Sequence, residues 1–369
     1  NEKELKTYRY YNTEELVTKY TPITYASHAT FQRQNIIILI MESYSKEFVG
    51  YYNQGKSYTP FLDSLMQQSL VFTNAYANGL KSIEALPAIT ASIPTLMDNP
   101  FITSNHSQNR FESLASILNK EDYNTSFYHG GNRGTMGFYS YSRKANFTDY
   151  FGMEEYNKDE DFDGSWGIFD GPFMQFFSNH LKEKKQPFFT TFFSLSSHPP
   201  YILPEDYQPH STTLGILETI RYSDFAMHQF FNSIKDADWF SNTIFIITAD
   251  HTSGVSYNKK YKNILGRYAI PMVIFKGDSS LQGVNTNVVQ QIDIMPTILE
   301  MMQYNKSYFA FGKSMFNGKQ WAISKLQNHY HFITPNGIIK NKEEEYTTYS
   351  NWELSKDTAT NKKDISLLK

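Results

Sequence analysis

The chain is 369 residues long, 40% hydrophobic and 16% aromatic, a composition that supports a sizeable folded core and excludes a disordered chain. A formal net charge of -3 gives none of the clustered basic surface that nucleic-acid binding requires, and the absence of Cys excludes disulfides and thiolate metal ligands. The longest apolar run, Ile36 to Met41, falls far short of the roughly 20 residues of a membrane-spanning helix, and the start at Asn1 in place of Met leads to the expectation of a trimmed fragment or processed product.

Residues 1–34 are polar and Tyr-rich, with a helical tendency at Thr13-Glu14-Glu15-Leu16-Val17, and read as a connector on the outside of the core. Asn35 to Met41 has the pattern of a central strand covered on both faces. Apolar residues at helical spacing (Phe61, Leu62, Leu65, Met66) predict a helix within Tyr58–Ser69, a second follows Ser82 to Ala91, and Phe111 to Leu118 predicts a third. Further strands are expected at Asn124–Tyr128, Phe188–Ser194, Thr243–Thr248 and Ala269–Phe275, with helices at Phe173–Lys182 and Thr213–Ile234 between them. Strands alternating with helices imply βαβ units, hence an α/β fold with a mostly parallel sheet sandwiched by helices. Val288 to Met302 predicts a short extended piece and then a helix with Pro296 near its start. Beyond about residue 320, Pro335-Asn336-Gly337 between His329–Thr334 and Gly337–Lys340 signals a hairpin, and Asn341 to Lys369 reads as a solvated polar tail. The expected organisation is a connector over 1–34, a catalytic domain over 35–320, and a small antiparallel subdomain with a tail over 321–369.

Several polar residues stand where strands end, the edge at which open α/β sheets bind ligands. Glu42 directly follows Ile36–Met41, and a carboxylate there is either a cation ligand or a solvated acid. Asp250-His251 follows Thr243 to Thr248, and a turn could aim both at one cation; oxygen and imidazole ligands without sulfur suit Mn, Mg or Zn. The alternative is an ordinary polar pair at a strand end. Ser82, after Gly79-Leu80-Lys81, is a candidate nucleophile at a helix N-terminus, where helix N–H groups help hold a phosphate. It is equally an N-cap, and the two roles are compatible. His198 follows a strand and could donate to a phosphate oxygen or protonate a leaving alkoxide. His129, before Gly130-Gly131-Asn132, could contact a headgroup; an isolated His is also often structural.

An acid after the first strand, a Ser some forty positions on, a strand-end His and then Asp-His resemble the alkaline phosphatase and sulfatase superfamily. The closest resemblance is to the extracellular domain of lipoteichoic acid synthases and related phosphoglycerol transferases. It is carried by Ile40-Met41-Glu42-Ser43, Gly79-Leu80-Lys81-Ser82-Ile83-Glu84-Ala85-Leu86-Pro87, Ser196-Ser197-His198-Pro199-Pro200-Tyr201 and Thr248-Ala249-Asp250-His251. Gln291-Ile292-Asp293-Ile294-Met295-Pro296-Thr297-Ile298 and Gly312-Lys313-Ser314 are similar too, so the resemblance spans roughly residues 35–320.

This resemblance implies a sulfatase-like fold and one divalent cation, Mn ahead of Mg or Zn, held by Glu42, Ser82, Asp250 and His251. Ser82 would carry phosphoglycerol taken from a phosphatidylglycerol-like donor and pass it to a hydroxyl acceptor at the membrane surface. His198 would contact the phosphate and His129 the headgroup. For the Trp and Arg that such enzymes carry after the His129 position, Phe138 and Arg143 are the candidates here. The nucleophile departs from the usual Thr. The resemblance also implies a place on the outer face of the cytoplasmic membrane, as the ectodomain of a membrane protein.

Other readings stay in play. Ser82 lacks the Pro and Arg of the Cys/Ser-x-Pro-x-Arg setting of formylglycine sulfatases, and a single Asp-His pair disfavours a two-metal phosphatase. Phosphoethanolamine transferases share the Ser82-to-Pro87 spacing but usually carry several disulfides. A phosphodiesterase that hands its intermediate to water, and a catalytically silent binding ectodomain, complete the alternatives.

Overall fold

A computed structural model of the chain describes residues 12–15, 22–24, 29–53, 57–212, 215–318, 321–342, 345–350 and 355–356. Its centre is an eight-stranded sheet made of β1 (Asn35–Met41), β2 (Leu70–Tyr76), β3 (Asn124–His129), β4 (Asp149–Phe151), β5 (Phe188–Phe193), β6 (Thr243–Ala249), β7 (Met272–Lys276) and β8 (Gly283–Gln290). The order across it is β4-β3-β5-β1-β6-β7-β2-β8. Only β7 runs antiparallel to its neighbours; the other pairings are parallel.

β1 is central and wholly buried, as its apolar run requires. Side chains alternate across a strand, so Ile36, Ile38 and Ile40 enter one core while Ile37, Leu39 and Met41 enter the other. The first core is closed by α2 (Ser82–Ala91), α3 (Leu114–Asn119), α4 (Phe138–Lys144) and α7 (Ile294–Met301). The second is closed by α1 (Pro60–Met66), α5 (Asp170–Lys182) and α6 (Ile216–Ile234). Each buried aliphatic side chain of β1 contributes roughly 1.5–3 kcal/mol, which fixes this strand firmly between the two cores. The functional edge is built on its C-terminal end.

A second, antiparallel sheet joins β9 (Ala322–Leu326), β10 (His329–Thr334), β11 (Gly337–Lys342), β12 (Glu345–Ser350) and β13 (Ser355–Lys356) in sequential order. Its Ala322, Ile333 and Ile338 share a third apolar cluster with Tyr76, Tyr268 and Val288 of the body, so the small sheet is packed onto the main one. A two-stranded pairing of Ile23–Thr24 with Tyr308–Phe309 ties the N-terminal segment down.

The expected α/β architecture is present, with differences. Leu70–Tyr76, Asp149–Phe151 and most of Gly283–Gln290 were not read as strands, because their pairing is decided by distant partners: β2 lies between β7 and β8, two hundred residues away. The strand expected from Ala269 begins at Met272 and is the antiparallel one. The segment read as a tail instead contributes β12 and β13, whose ladders supply the backbone partners that its polar side chains do not predict. Leu16 and Val17 of the expected N-terminal helix, Thr213 of the long helix, and tail residues 357–369 lie outside the described residues.

Candidate active site

The C-terminal ends of β1 and β6 bring Glu42 and Asp250-His251 together because these strands are adjacent and in register, with Met41 opposite Ala249. Glu42 and Asp250 are 2% and 0% exposed. The Glu42 N–H donates to Ser194 Oγ at 2.7 Å, and Ser43 Oγ donates to Glu42 Oε1 at 2.7 Å. Asp250 Oδ1 accepts from the N–H groups of Ser43 (2.8 Å) and His251 (2.7 Å). Ser43 makes its contact from a left-handed conformation, φ 59°.

Ser82 reaches the same point from the opposite side. It is the first residue of α2, and its Oγ lies 3.2 Å from Glu42 Oε2 and 3.3 Å from His251 Nε2. The loop before it is held by Glu84, whose Oε2 accepts from the Leu80 N–H at 2.8 Å. Gly79 is required there, since a Cβ would sit 2.4 Å from that same carboxylate oxygen. Asn78 anchors the loop further back, its Oδ1 accepting the Ile292 N–H at 3.0 Å.

The electrostatics of this cluster are those of a cation site. His251 Nδ1 lies 2.8 Å from the Thr252 carbonyl, so the neutral ring carries its proton on Nδ1 and offers Nε2 as a lone pair. That lone pair faces Asp250 Oδ2 at 3.2 Å and Glu42 Oε1 at 3.8 Å. Asp250 Oδ2 is buried and has no hydrogen-bond donor. Burial, and then the Glu42 charge, push the Asp250 carboxyl up to about 7. For His251 burial acts downward, but Asp250 and Glu42 outweigh it and the net shift is upward. Two buried carboxylates and an imidazole nitrogen converging on one point, with Asp250 Oδ2 left without a donor, call for a positive charge in the middle. One ligand atom from each of Glu42, Asp250 and His251 lies within 4.8 Å of the others, so these residues fit a divalent cation.

His129 ends β3, two strands from β1, and is 2% exposed. Its Nδ1 bonds to the Phe193 carbonyl at 3.1 Å, while Nε2 is buried without a partner. Burial holds this imidazole down to about 4, so it is neutral near neutral pH and Nε2 is an acceptor. His198 lies in the loop after β5, half exposed, its Nδ1 2.8 Å from the Pro199 carbonyl.

Phe138 and Arg143 are not brought to the site. Phe138 is fully buried and packs edge-on against His129 with centroids 5.0 Å apart, so it can brace that ring but cannot touch a substrate. Arg143 caps the far end of α4, bonding the carbonyls of Phe147 (2.9 Å) and Thr148 (2.6 Å). Thr148 sits beside Thr125, four residues before His129, and that is about 13 Å back along the strand at ~3.3 Å per residue.

Two groups had no signal in the sequence reading. Trp166 packs at a tilt against His198 with centroids 4.0 Å apart, and its indole N–H donates to the Pro199 carbonyl at 2.8 Å. Its loop is folded by Asp163 Oδ1, which accepts the N–H groups of Ser165, Trp166 and Gly167. Asp170, buried at the start of α5, accepts from the N–H groups of Leu195 and Ser196 and from Ser223 Oγ, fixing the strand-end loop that leads to His198.

Fold and site together define a member of the sulfatase family: the family pattern matches residues 34–304, and the chain belongs to it. Among curated relatives it is similar to lipoteichoic acid synthase 1 of Bacillus subtilis, 27% identical over 329 residues, covering 82% of this chain and 51% of that protein. It is likewise similar to lipoteichoic acid synthase of Staphylococcus aureus, 25% identical over 378 residues, covering 91% of this chain and 56% of that one. The chain thus spans about half the length of the relatives it matches. Its fold is shared with an alkaline phosphatase superfamily protein from Vibrio parahaemolyticus (TM-score 0.82, 24% identity, covering 92% of this chain and 86% of the other). It is also shared with the lipoteichoic acid synthase LtaP from Listeria monocytogenes (TM-score 0.76, 17% identity, 91% of each chain covered). Among the described residues no helix is long and apolar enough to cross a membrane.

Proposed function

We propose that the protein is a metal-dependent phosphoglycerol transferase that takes its group from a phosphatidylglycerol-like lipid through a covalent phospho-Ser82. The observation that carries this reading is the placement of Ser82 Oγ, 3.2 Å from Glu42 and 3.3 Å from His251, at the N-terminus of a helix. A hydroxyl in that position has a carboxylate and an imidazole beside it to take up its proton, and helix N–H groups for the incoming phosphate.

Glu42, Asp250 and His251 would hold the cation, with Ser82 completing the set and Mn as the proposed ion. When bound, it supplies charge that lowers the cost of forming the serine alkoxide and of the negative charge building on phosphorus. Ser82 Oγ attacks the donor phosphorus, the bond from phosphorus to the diacylglycerol oxygen breaks, and diacylglycerol leaves with a proton. His198, as an imidazolium, is the proposed donor to the phosphoryl group or the departing oxygen. An acceptor hydroxyl then attacks phospho-Ser82, the phosphorus–Ser82 bond breaks, and the acceptor's proton returns to the serine. His129, neutral and with Nε2 as an acceptor, suits a hydroxyl of the headgroup better than a phosphate oxygen. The likeness to the lipoteichoic acid synthases supports this reading.

Intact-mass spectrometry after incubation with Mn and phosphatidylglycerol tests it. A phosphoglycerol adduct on Ser82, absent in Ser82→Ala, is the expected result. A phosphoethanolamine adduct formed instead from phosphatidylethanolamine, or diacylglycerol release with full activity in Ser82→Ala, would overturn it.

A further inference from the structure

The loop that follows His251 holds apolar side chains out in water. Val255 and Tyr257 are 46% and 55% exposed, and Lys259, Lys260 and Lys262 stand exposed immediately behind them. This exposure is imposed by the backbone. The buried Glu47 carboxylate accepts the N–H groups of Tyr257 (3.0 Å) and Asn258 (2.9 Å), and Ser45 Oγ accepts that of Ser253 (2.7 Å). Asn258 Oδ1 accepts the Lys260 N–H at 3.0 Å, and Tyr261 turns back into the core with its hydroxyl on Asn53 at 2.9 Å. A loop pinned at its base and along its length cannot fold Val255 and Tyr257 inward.

The loop also stands at the mouth of the site. The Tyr201 phenol is raised by burial and then by Tyr257 and Glu42, so Tyr201 lies within electrostatic reach of both the loop and the site. Ile202, next to Tyr201, is a further exposed apolar side chain at 37%. A cavity of about 480 Å³ runs from His251 beneath the loop and is lined by Lys262 and Arg267.

We propose that Ser253–Lys262 is a membrane-docking loop that seats the mouth of the active site on an anionic phospholipid surface. Val255 and Tyr257 enter the headgroup region, and Lys259, Lys260 and Lys262 pair with lipid phosphates. An aromatic-and-aliphatic tip backed by lysines is the chemistry of a bilayer interface, where the ring sits among headgroups and each lysine near an anionic surface adds about a fivefold gain in binding. A soluble polyanion would satisfy the lysines alone and leave Val255 and Tyr257 uncovered, which is why the bilayer is the better occupant. The inference rests on the phospholipid-donor reading above, since a nucleophile buried behind Glu42 must be brought close to lipid headgroups.

Co-sedimentation of the 369-residue chain with vesicles of phosphatidylcholine, with and without phosphatidylglycerol, tests the docking without any turnover. The wild-type chain is expected to bind the phosphatidylglycerol vesicles at least about tenfold more tightly. The double variants Val255→Ser/Tyr257→Ser and Lys259→Glu/Lys260→Glu are each expected to lose about tenfold or more. Cleavage of a soluble aryl phosphodiester should be unchanged in both, which also reports that they are folded. Equal binding of wild-type chain to both vesicles, or variants that bind as the wild type does, would overturn the proposal. So would a loss confined to the charge reversal, which would point to a polyanion. Vesicle binding that follows the expected pattern in a chain that forms no Ser82 adduct would leave the docking loop standing and remove only the transfer reading.

Discussion

Gln291 joins Asn78 to Asp250: its Oε1 accepts the Asn78 N–H at 2.9 Å, while its Nε2 donates to the Asp250 carbonyl at 2.6 Å and the Ala249 carbonyl at 2.9 Å. One fully buried amide therefore sets the distance between the loop that carries Ser82 and the strand end that carries the acidic ligands. Replacing it with Ala leaves buried groups on both sides unpaired, at about 1–3 kcal/mol for each group not rescued by water. Urea denaturation of Gln291→Ala should show a loss of that order. The rate of Ser82 adduct formation should fall by more than the stability loss explains, because two halves of the site lose their common reference.

Cation binding should be visible as stability. An ion that binds the folded state alone adds about 2.7 kcal/mol at a hundredfold excess over its dissociation constant. Mn is therefore expected to raise the unfolding midpoint of the wild-type chain and of Ser82→Ala, and a chelator to reverse it. Asp250→Asn, which removes the buried oxygen that lacks a donor, should abolish the rise. A rise in Asp250→Asn equal to that of wild type would place the ion elsewhere.

Trp166 should matter through His198. Its ring packs 4.0 Å from the imidazole, and both Trp166 Nε1 and His198 Nδ1 share the Pro199 carbonyl. Trp166→Ala frees the imidazole, and a displacement of about 1 Å at such a group can cost up to ~100-fold in rate. The expected outcome is a fall in kcat of about ten- to a hundredfold, with partial recovery in Trp166→Phe, which restores the ring without the N–H. Steady-state kinetics on a soluble diester would show it, and an unchanged kcat in Trp166→Ala would refute the contact's importance.

Asp224 gives a pH signature remote from the cation ligands. Its carboxylate accepts the N–H groups of Phe61 (2.8 Å) and Leu62 (3.0 Å) in the first turn of α1, and burial pushes it up to about 7. The folded chain thus binds this proton more tightly than the unfolded chain does. The stability it contributes is full below about pH 4 and is lost as pH rises to about 7, by a few kcal/mol in the limit. Asp224→Asn should flatten that part of the curve, read as the difference between wild-type and variant urea midpoints across pH 4–7. Parallel curves would show that Asp224 does not titrate there.

Local pattern and tertiary pairing made different contributions to what can be known of this protein. The run Ile36–Met41, with no polar side chain to place in water, could only be a strand covered on both faces, and that alone located Glu42 at its end. The same reasoning placed Asp250-His251 after Thr243–Ala249, and Ser82 at a helix start. These assignments depend on side-chain periodicity, which is a property of neighbours in the chain. Which strands lie side by side is not. β2 is inserted between β7 and β8 by contacts two hundred residues away, and without it the loop to Ser82 has no fixed origin. Phe138 and Arg143 were placed by their distance in sequence from His129, yet the turn of α4 buries one behind that histidine and carries the other to the opposite end of the strand. Trp166 and Gln291 enter the site only because chain closure brings their loops to it. Amino-acid type and order decided which groups could do chemistry at a strand end; the packing of the sheet decided which of them meet, because proximity across a fold is set by burial of surfaces that no local window contains.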